Sequence, residues 1–222
     1  MARLHEFEGK RLLSDAGIAV PEGGPASTAE EARDIAARLG TPVVLKIQAW
    51  TTGRAAIGGV AFATSPDEAF EHATRLLAMQ VGAFPVEQVL VEQQLAIKDE
   101  LFVSLSINDA AREPVMLLSL TGGSGIEDRA AEVHRLECPV GEGPSPEKLV
   151  DLLAASAIEP KFHADISSAV QTIFSVARKT EARSVEVNPL VTTGDGRVLA
   201  ADCRMTIDDY AVFRHPELGI EI

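Results

Sequence analysis

The chain has 222 residues, of which 46% are hydrophobic and 24% charged, and its formal net charge is −13 at pH 7. This balance fits a globular protein with one large domain or two small lobes, and it argues against nucleic acid as a partner. The sequence has no apolar run of membrane-spanning length, and its charged N-terminus has no apolar signal segment. Its two cysteines lack metal-binding spacing and fit a reducing compartment. The sequence therefore predicts a cytoplasmic protein with no membrane partner.

The first half of the chain alternates helices with short extended runs. A helix is predicted over residues 5–16. A second helix follows Thr28, where Glu31 completes a capping box, and it ends at Gly40. The apolar run TPVVLKI is typical of a buried strand, and it leads through a glycine-rich loop to the strand VAFA. Ser65 begins a third helix.

The second half is richer in strands. The runs VEQVLVEQQ, ELFVSLSIN and PVMLLSL predict three strands, the last two joined by the turn NDAARE. VGEGPSPEK is interpreted as a surface connection, and residues 161–180 have helical periodicity. The final strands lie in SVEVNPLVTTGDGRVLAAD, around the turn TTGDGR. The order of elements indicates a mixed α/β (α+β) fold, with lobe boundaries near residues 20 and 95.

The first strand and the loop after it are candidate phosphate-binding features. Lys46 ends the run VVLK, where an unpaired ammonium would be costly to bury, so it either projects toward a phosphate or extends to solvent. The loop at residues 51–59 combines glycines with Arg54, and backbone N–H groups with a guanidinium can hold phosphate oxygens. The loop lacks the Walker A sequence, and by itself it resembles any glycine-rich hairpin.

Acidic and amide side chains form the other candidate sites. Glu92 and Glu100 lie at the predicted hinge, where carboxylates accept hydrogen bonds from a base or a ribose, or are simply solvated. In an alternating strand Glu186 and Asn188 project to the same face, and the turn TTGDGR can return Asp202 beside Asn188. One carboxylate and one amide oxygen, completed by waters, form a candidate Mg²⁺ site; the alternative is a polar strand edge.

The loop TGGSGIED is a further glycine cluster, either a phosphate-binding or partner-binding turn or a tight connection. The five histidines show no metal-binding spacing, and none pairs with a serine or cysteine nucleophile in a recognisable triad.

In this order, these segments resemble the ATP-grasp region of succinyl-CoA synthetase β subunits and related NDP-forming acyl-CoA ligases. The similar segments are LHEFEGKRLLSDAGIAVPEG, PVVLKIQAWTTGRAAIGGV, VLVEQQLAIKDELFVSLSIN and VEVNPLVTTGDGRVLAADCRMTIDDYAVFRHPEL. The likeness spans nearly the whole chain, and E-V-N-P-L-V with Asp202 is its most specific part. It implies an ATP-grasp fold with a smaller lobe at residues 20–95, a larger lobe from residues 1–19 and 96–222, and a nucleotide in the cleft between them.

The resemblance also implies roles for individual residues. It assigns catalysis to Lys46, Arg54 and Glu186. It assigns nucleotide binding to Lys46, Gly53, Arg54, Glu92, Leu95 and Glu100. Mg²⁺ would be held by Asn188 and Asp202. Glu186 would orient a phosphohistidine delivered by an α-type partner subunit that also carries the CoA site. The implied reaction is that of an ADP-forming ligase acting on a small carboxylate, and Pro21 favours ATP over GTP.

Two departures from the family pattern leave alternatives open. Where the family loop has H-A-G-G-R-G-K-A-G-G, residues 50–59 lose two glycines and a lysine. The chain stops near HPELGIEI, where the usual β subunit continues into a further domain, although some acyl-CoA synthetases carry the ATP-grasp unit as a separate subunit. The alternatives are a catalytically weakened nucleotide-binding or assembly subunit and a stand-alone carboxylate–amine ligase.

Overall fold

The structure is a computed structural model that describes residues 2–40, 42–51, 53–122 and 132–220. The chain divides into two compact units. The small unit is Pro21–Leu95, and the large unit combines Met1–Val20 with Ala96–Ile222. Within the described residues, no helix is long and apolar enough to cross a membrane.

Both units contain strands and helices. The strands are β1 Ala2–Arg3, β2 Gly23–Ala26, β3 Val43–Ile47, β4 Val60–Ala63, β5 Gln80–Val81, β6 Phe84–Pro85, β7 Val89–Gln93, β8 Ile97–Asn108, β9 Glu113–Ser119, β10 Val133–Glu137, β11 Ala182–Thr193, β12 Val198–Ala200 and β13 Arg204–Ile207. The α-helices are α1 Glu6–Asp15, α2 Ala29–Leu39, α3 Pro66–Leu77, α4 Pro146–Ala154 and α5 His163–Lys179. The pairs between these strands are all antiparallel, so the fold is of the α+β kind.

The small unit is an antiparallel sheet covered on one face by two helices. The strand order is β2-β7-β3-β4, and β5 pairs with β6 as a separate hairpin. Leu45 and Ile47 of β3 and Val91 of β7 are fully buried in one core with the alanine-rich faces of α2 and α3. Because side chains alternate along a strand, Lys46 and Glu92 project from the opposite face of the sheet.

The predicted helix starts in the small unit are confirmed. Thr28 Oγ1 accepts a hydrogen bond from the Glu31 N–H at 3.1 Å, while the Glu31 carboxylate accepts the Ser27 N–H at 2.7 Å. Helix α2 ends at Gly40, whose φ of 64° is the left-handed conformation that glycine adopts readily. Ser65 caps α3 in the same way as Thr28 caps α2.

The large unit is built on a longer sheet. Its strand order is β1-β13-β11-β8-β9-β10, and β12 also pairs with β11. Helix α5 contributes the most buried apolar side chains of the helices, including Ile166, Val170 and Ile173. It packs against β8 and β11, and α4 packs against α5. The turn TTGDGR joins β11 to β12, as the sequence predicts.

Several helices and strands were not predicted from the sequence. The segment interpreted as a surface connection contains the start of α4, whose N-cap Ser145 accepts the Lys148 N–H at 3.3 Å. Strands β1, β5, β6, β10 and β13 were not predicted either. Most of the loop TGGSGIED falls in residues 123–131, which lie outside the described part of the chain.

Candidate functional site

Lys46 and Glu92 form an ion pair on the face of the small sheet that points away from its helices. Strands β3 and β7 pair with Val44 opposite Glu92 and Lys46 opposite Leu90, so the two charged side chains are diagonal neighbours. Lys46 Nζ donates to Glu92 Oε2 at 3.0 Å. The side chains are 15% and 3% exposed, so Lys46 is held close to a buried carboxylate rather than extended into solvent.

Gly23 of the edge strand β2 makes room for this pair. It lies directly opposite Glu92. A Cβ at Gly23 would be 2.1 Å from the Val91 carbonyl oxygen, 2.8 Å from Glu92 Cα and 3.0 Å from Glu92 Cγ. Any larger residue would therefore displace the strand or the Glu92 side chain. The sequence analysis did not identify this requirement, because it depends on a pairing between distant segments.

The glycine-rich loop folds back onto the end of β3, close in sequence to Lys46. Arg54 Nη1 donates to the Ile47 carbonyl at 3.3 Å, and the Arg54 carbonyl accepts the Gly59 N–H at 2.8 Å. Gly53 has a φ of 63°, which a residue with a side chain adopts only rarely. The loop thus places a guanidinium and a glycine-rich backbone beside the strand that carries Lys46.

The altered positions of this loop add apolar surface, as the sequence indicates. Trp50 is 58% exposed and Ile57 is 46% exposed. Arg75 Nη1 of α3 donates to the Gly58 carbonyl at 3.0 Å and fastens the loop to the body of the small unit. Hydrogen bonds therefore hold this loop at both Arg54 and Gly58.

Strand register brings Asn188 and Asp202 together in the large unit. On one edge of β11, Leu190 pairs with Ala200 of β12, and Glu186 pairs with Arg204 of β13. Asn188 and Asp202 lie at corresponding positions in the gap between these two paired segments. The Ala201 N–H donates to the Pro189 carbonyl at 3.0 Å and closes the gap between the two paired segments.

Asp202 lies between polar groups and the buried residue Cys203. Asp202 Oδ1 accepts the Cys203 N–H at 2.7 Å, and Arg204 Nη1 is 3.6 Å from Glu186 Oε1. Burial, and secondarily the charge of Asp202, raises the pKa of the Cys203 thiol well above its ordinary value.

A second buried ion pair lies beneath this segment and was missed by the sequence analysis. Lys10 Nζ of α1 is 2.9 Å from Glu6 Oε1, and the two side chains are 4% and 2% exposed. A Cβ at Gly9 would be 2.7 Å from Cys203 Sγ, so α1 packs tightly against the residue that follows Asp202. The sequence does contain a signal for this pair: the helical spacing puts Glu6 and Lys10 on the same face as the core residue Leu13.

The oxygen donors of Asn188 and Asp202 fit Mg²⁺. This ion prefers oxygen ligands, and proteins commonly supply one or two of them while waters and substrate phosphates supply the rest. The described residues contain no group of three or more His, Cys, Asp or Glu side chains able to hold a metal ion.

Leu95 and Glu100 are the next predicted residues along the chain. Leu95 is the last residue of the small unit, and Glu100 lies on β8 of the large unit, opposite Val191 of β11. The Glu100 carbonyl accepts the Gly122 N–H. Among the predicted site residues, the structure thus brings together Lys46 with Glu92 and Asn188 with Asp202.

Comparison with known proteins adds a family match and close relatives. The ATP-grasp domain family matches residues 3–192. The ADP-forming succinate–CoA ligase subunit beta of Halorubrum lacusprofundi is 34% identical over 221 residues, covering 98% of this chain and 58% of that protein. The GDP-forming subunit beta of Thermus thermophilus is 35% identical over 220 residues, covering 97% and 58%. The chain therefore spans little more than half the length of these relatives.

Solved structures show the same fold. A dinucleotide forming acetyl-coenzyme A synthetase 1 from Ca. Korarchaeum cryptofilum, solved in complex with coenzyme A, Ca-AMPCP and HgCl⁺, is similar with a TM-score of 0.79. The alignment covers 93% of this chain and 94% of that chain at 22% sequence identity. At this identity the likeness establishes the fold alone.

Proposed function

The chain belongs to the ATP-grasp domain family, and we propose that it is the nucleotide-binding component of an ADP-forming carboxylate–CoA ligase. In this role it exchanges phosphoryl groups between Mg-ATP and a histidine of an α-type partner subunit. The partner also carries the CoA site, and the complex activates a small carboxylate. The identity to succinate–CoA ligase beta subunits over nearly the whole chain supports this class.

The observation that carries the proposal is the position of Asn188 and Asp202 between the segments in which β11 pairs with β12 and with β13. Their amide and carboxylate oxygens would hold Mg²⁺, and the bound ion would neutralise charge on the nucleotide phosphates. Lys46 and Arg54, on β3 and the loop that follows it, would bind the same phosphates, with the Gly53 backbone closing over them. Positioning and charge neutralisation supply most of the catalysis in such phosphoryl transfers.

Glu186 would orient the partner's histidine. Its carboxylate lies two residues before Asn188 on β11 and faces Arg204 at 3.6 Å. A carboxylate that accepts a hydrogen bond from one imidazole N–H leaves the other ring nitrogen available as the nucleophile. That nitrogen bonds to the γ-phosphorus while the bond to the β–γ bridging oxygen breaks, and ADP leaves.

The nucleoside end of the site is assigned by resemblance. Glu92 would form part of the nucleotide site, the backbone near Leu95 would contribute on the side of the base, and Glu100 on the side of the ribose. Pro21 favours ATP, while GTP remains the alternative. We propose that the assembly acts in the cytoplasm.

The altered loop at residues 50–59 favours a second candidate, a nucleotide-binding subunit with weakened catalysis. Ala55 and Ala56 stand where the family pattern has glycine and lysine, and the exposed Trp50 adds apolar surface at the same place. Loss of a lysine removes one phosphate contact and lowers transition-state stabilisation. No observation favours the stand-alone carboxylate–amine ligase.

Mixing experiments distinguish the two candidates. The purified chain is incubated with the α-type succinate–CoA ligase subunit of its own organism and ATP radiolabelled at the γ-phosphate. We expect acid-labile label on the α-type subunit, and its loss with Lys46→Met and with Asp202→Ala. The exposed Asp151→Ala is the matched control. Nucleotide binding without any labelled subunit would support the weakened candidate, and full labelling by both site variants would overturn the proposed site.

A further inference from the structure

We propose that Glu92 is a positioning residue for Lys46: it acts on nucleotide binding through the lysine that holds the phosphates, and its carboxylate does not read the nucleoside. This inference rests on the proposed function, because it refines the role of one residue of the same site. It concerns the small unit alone, where both side chains and their supporting strands lie.

The contact itself is the first support. Glu92 Oε2 accepts from Lys46 Nζ at 3.0 Å, a normal distance for a charge-assisted hydrogen bond. The Glu92 side chain is only 3% exposed. A carboxylate at this depth needs a compensating cation, and the hydrogen bond from Lys46 supplies one, so the Glu92 side chain is held toward Lys46.

The strand geometry fixes the direction of the Glu92 side chain. Phe62, Val44, Glu92 and Gly23 form one row across β4, β3, β7 and β2. On the Gly23 side the backbone is so close that an added Cβ would be 3.0 Å from Glu92 Cγ. Glu92 is therefore flanked by the edge strand on one side and by β3, the strand of Lys46, on the other.

The lysine gains a fixed position from this arrangement. Its side chain is 15% exposed, so the ammonium remains accessible to an anion while its stem is packed. A free lysine loses rotamer entropy when it binds a phosphate. A lysine already held by a buried carboxylate has lost much of that entropy on folding, so it loses less on binding. Lys46 is thus preorganised for phosphate.

A double-mutant cycle with three ligands tests this role. Adenosine, inorganic tripolyphosphate and ATP are titrated calorimetrically into wild type, Glu92→Leu, Glu92→Gln, Lys46→Met and the Glu92→Leu/Lys46→Met double variant. Glu71→Gln on α3, an exposed glutamate of the same unit, is the control. We expect Glu92→Leu to weaken tripolyphosphate and ATP by about tenfold or more, since it removes a hydrogen bond between charged groups. Glu92→Gln keeps an acceptor oxygen, so its loss is smaller.

Adenosine affinity stays unchanged in both Glu92 variants, and Glu92→Leu has no further effect once Lys46 is methionine. Weaker adenosine binding, or a Glu92→Leu effect that persists in the Lys46→Met background, would overturn the proposal, since Glu92 would then contact the nucleoside.

A ligand-free measurement separates this proposal from the proposed function. Lys46 is acetylated with acetic anhydride and quantified by mass spectrometry, with the exposed Lys148 as the internal reference. Glu92→Leu removes the hydrogen bond that Lys46 Nζ donates to Glu92 Oε2, so we expect Lys46 to be acetylated several-fold faster relative to Lys148. Equal labelling in wild type and Glu92→Leu would overturn positioning. Altered labelling in a protein that binds neither ATP nor tripolyphosphate would retain it and refute the proposed function.

Discussion

Replacing Lys10 with methionine is expected to lower the free energy of unfolding by about 3–5 kcal/mol, the usual cost of leaving one member of a buried ion pair without its partner. Lys10 Nζ is 2.9 Å from Glu6 Oε1, and both side chains are at least 96% buried. Methionine fills a similar volume, so packing changes little. The loss arises because the Glu6 carboxylate remains buried beside an apolar side chain.

Urea unfolding followed by far-UV circular dichroism measures the effect. The double variant Glu6→Leu/Lys10→Met removes both charges, and we expect it to recover most or all of the loss, because apolar replacements of buried ion pairs are often neutral or stabilising. Lys148→Met on the exposed face of α4 is the matched control and is expected to change stability by less than about 0.5 kcal/mol. A Lys10→Met protein as stable as this control would refute the assignment of a buried, mutually dependent pair.

Three further predictions follow from local geometry. Thr28→Ala removes the N-cap of α2 and is expected to lower the free energy of unfolding by about 1 kcal/mol, measured by urea unfolding. Gly59→Ala would place a Cβ 2.6 Å from Ile47 Cδ1, so we expect a loss of about 1–3 kcal/mol that Ile47→Val relieves in part. The guanidinium of Arg214 lowers the pKa of Glu181 from 4.5 to about 2, and Arg214→Ala is expected to return it toward 4.5 in an NMR titration.

The sign of the last prediction follows from linkage. Because the folded pKa of Glu181 is lowered, its contribution to stability is present above the unfolded value of 4.5 and is lost as the pH falls through about 2. A Glu181 pKa that stays near 2 in Arg214→Ala would contradict the assigned cause. Thr28→Ser retains the cap and serves as the control for Thr28→Ala. If Gly59→Ala were as stable as wild type, the loop would accommodate the added methyl group with no loss in the free energy of unfolding.

Local signals made much of the fold predictable. Thr28 and Ser65 precede glutamates three positions on, and each begins the helix that this pattern indicates. The two-residue strands β1, β5 and β6 are too short to show any periodicity. Helix α4 was overlooked although Ser145 followed by Pro146 is a typical helix start, because the glycines just before it suggested a continuous loop.

In the candidate site, too, contacts between residues close in sequence were predictable and contacts between distant residues were not. Asn188 and Asp202 flank one hairpin turn, so strand alternation and the turn together predict that they lie close to each other, and the flanking pairs Leu190–Ala200 and Glu186–Arg204 are consistent with this. Lys46 and Glu92 are 46 positions apart and meet because β3 and β7 are neighbours in the sheet. Pattern analysis of separate segments gives no information about that pairing, and the same holds for the fit of Gly23 against Glu92.

Calorimetric titration of the purified chain with ATP, in the presence and absence of Mg²⁺, tests the central claim most directly. The account predicts that wild type binds ATP more tightly with Mg²⁺, and that Asp202→Ala loses this dependence while the exposed Asp151→Ala keeps it. ATP binding that is indifferent to Mg²⁺, or that responds to Mg²⁺ equally in wild type and Asp202→Ala, would contradict the account.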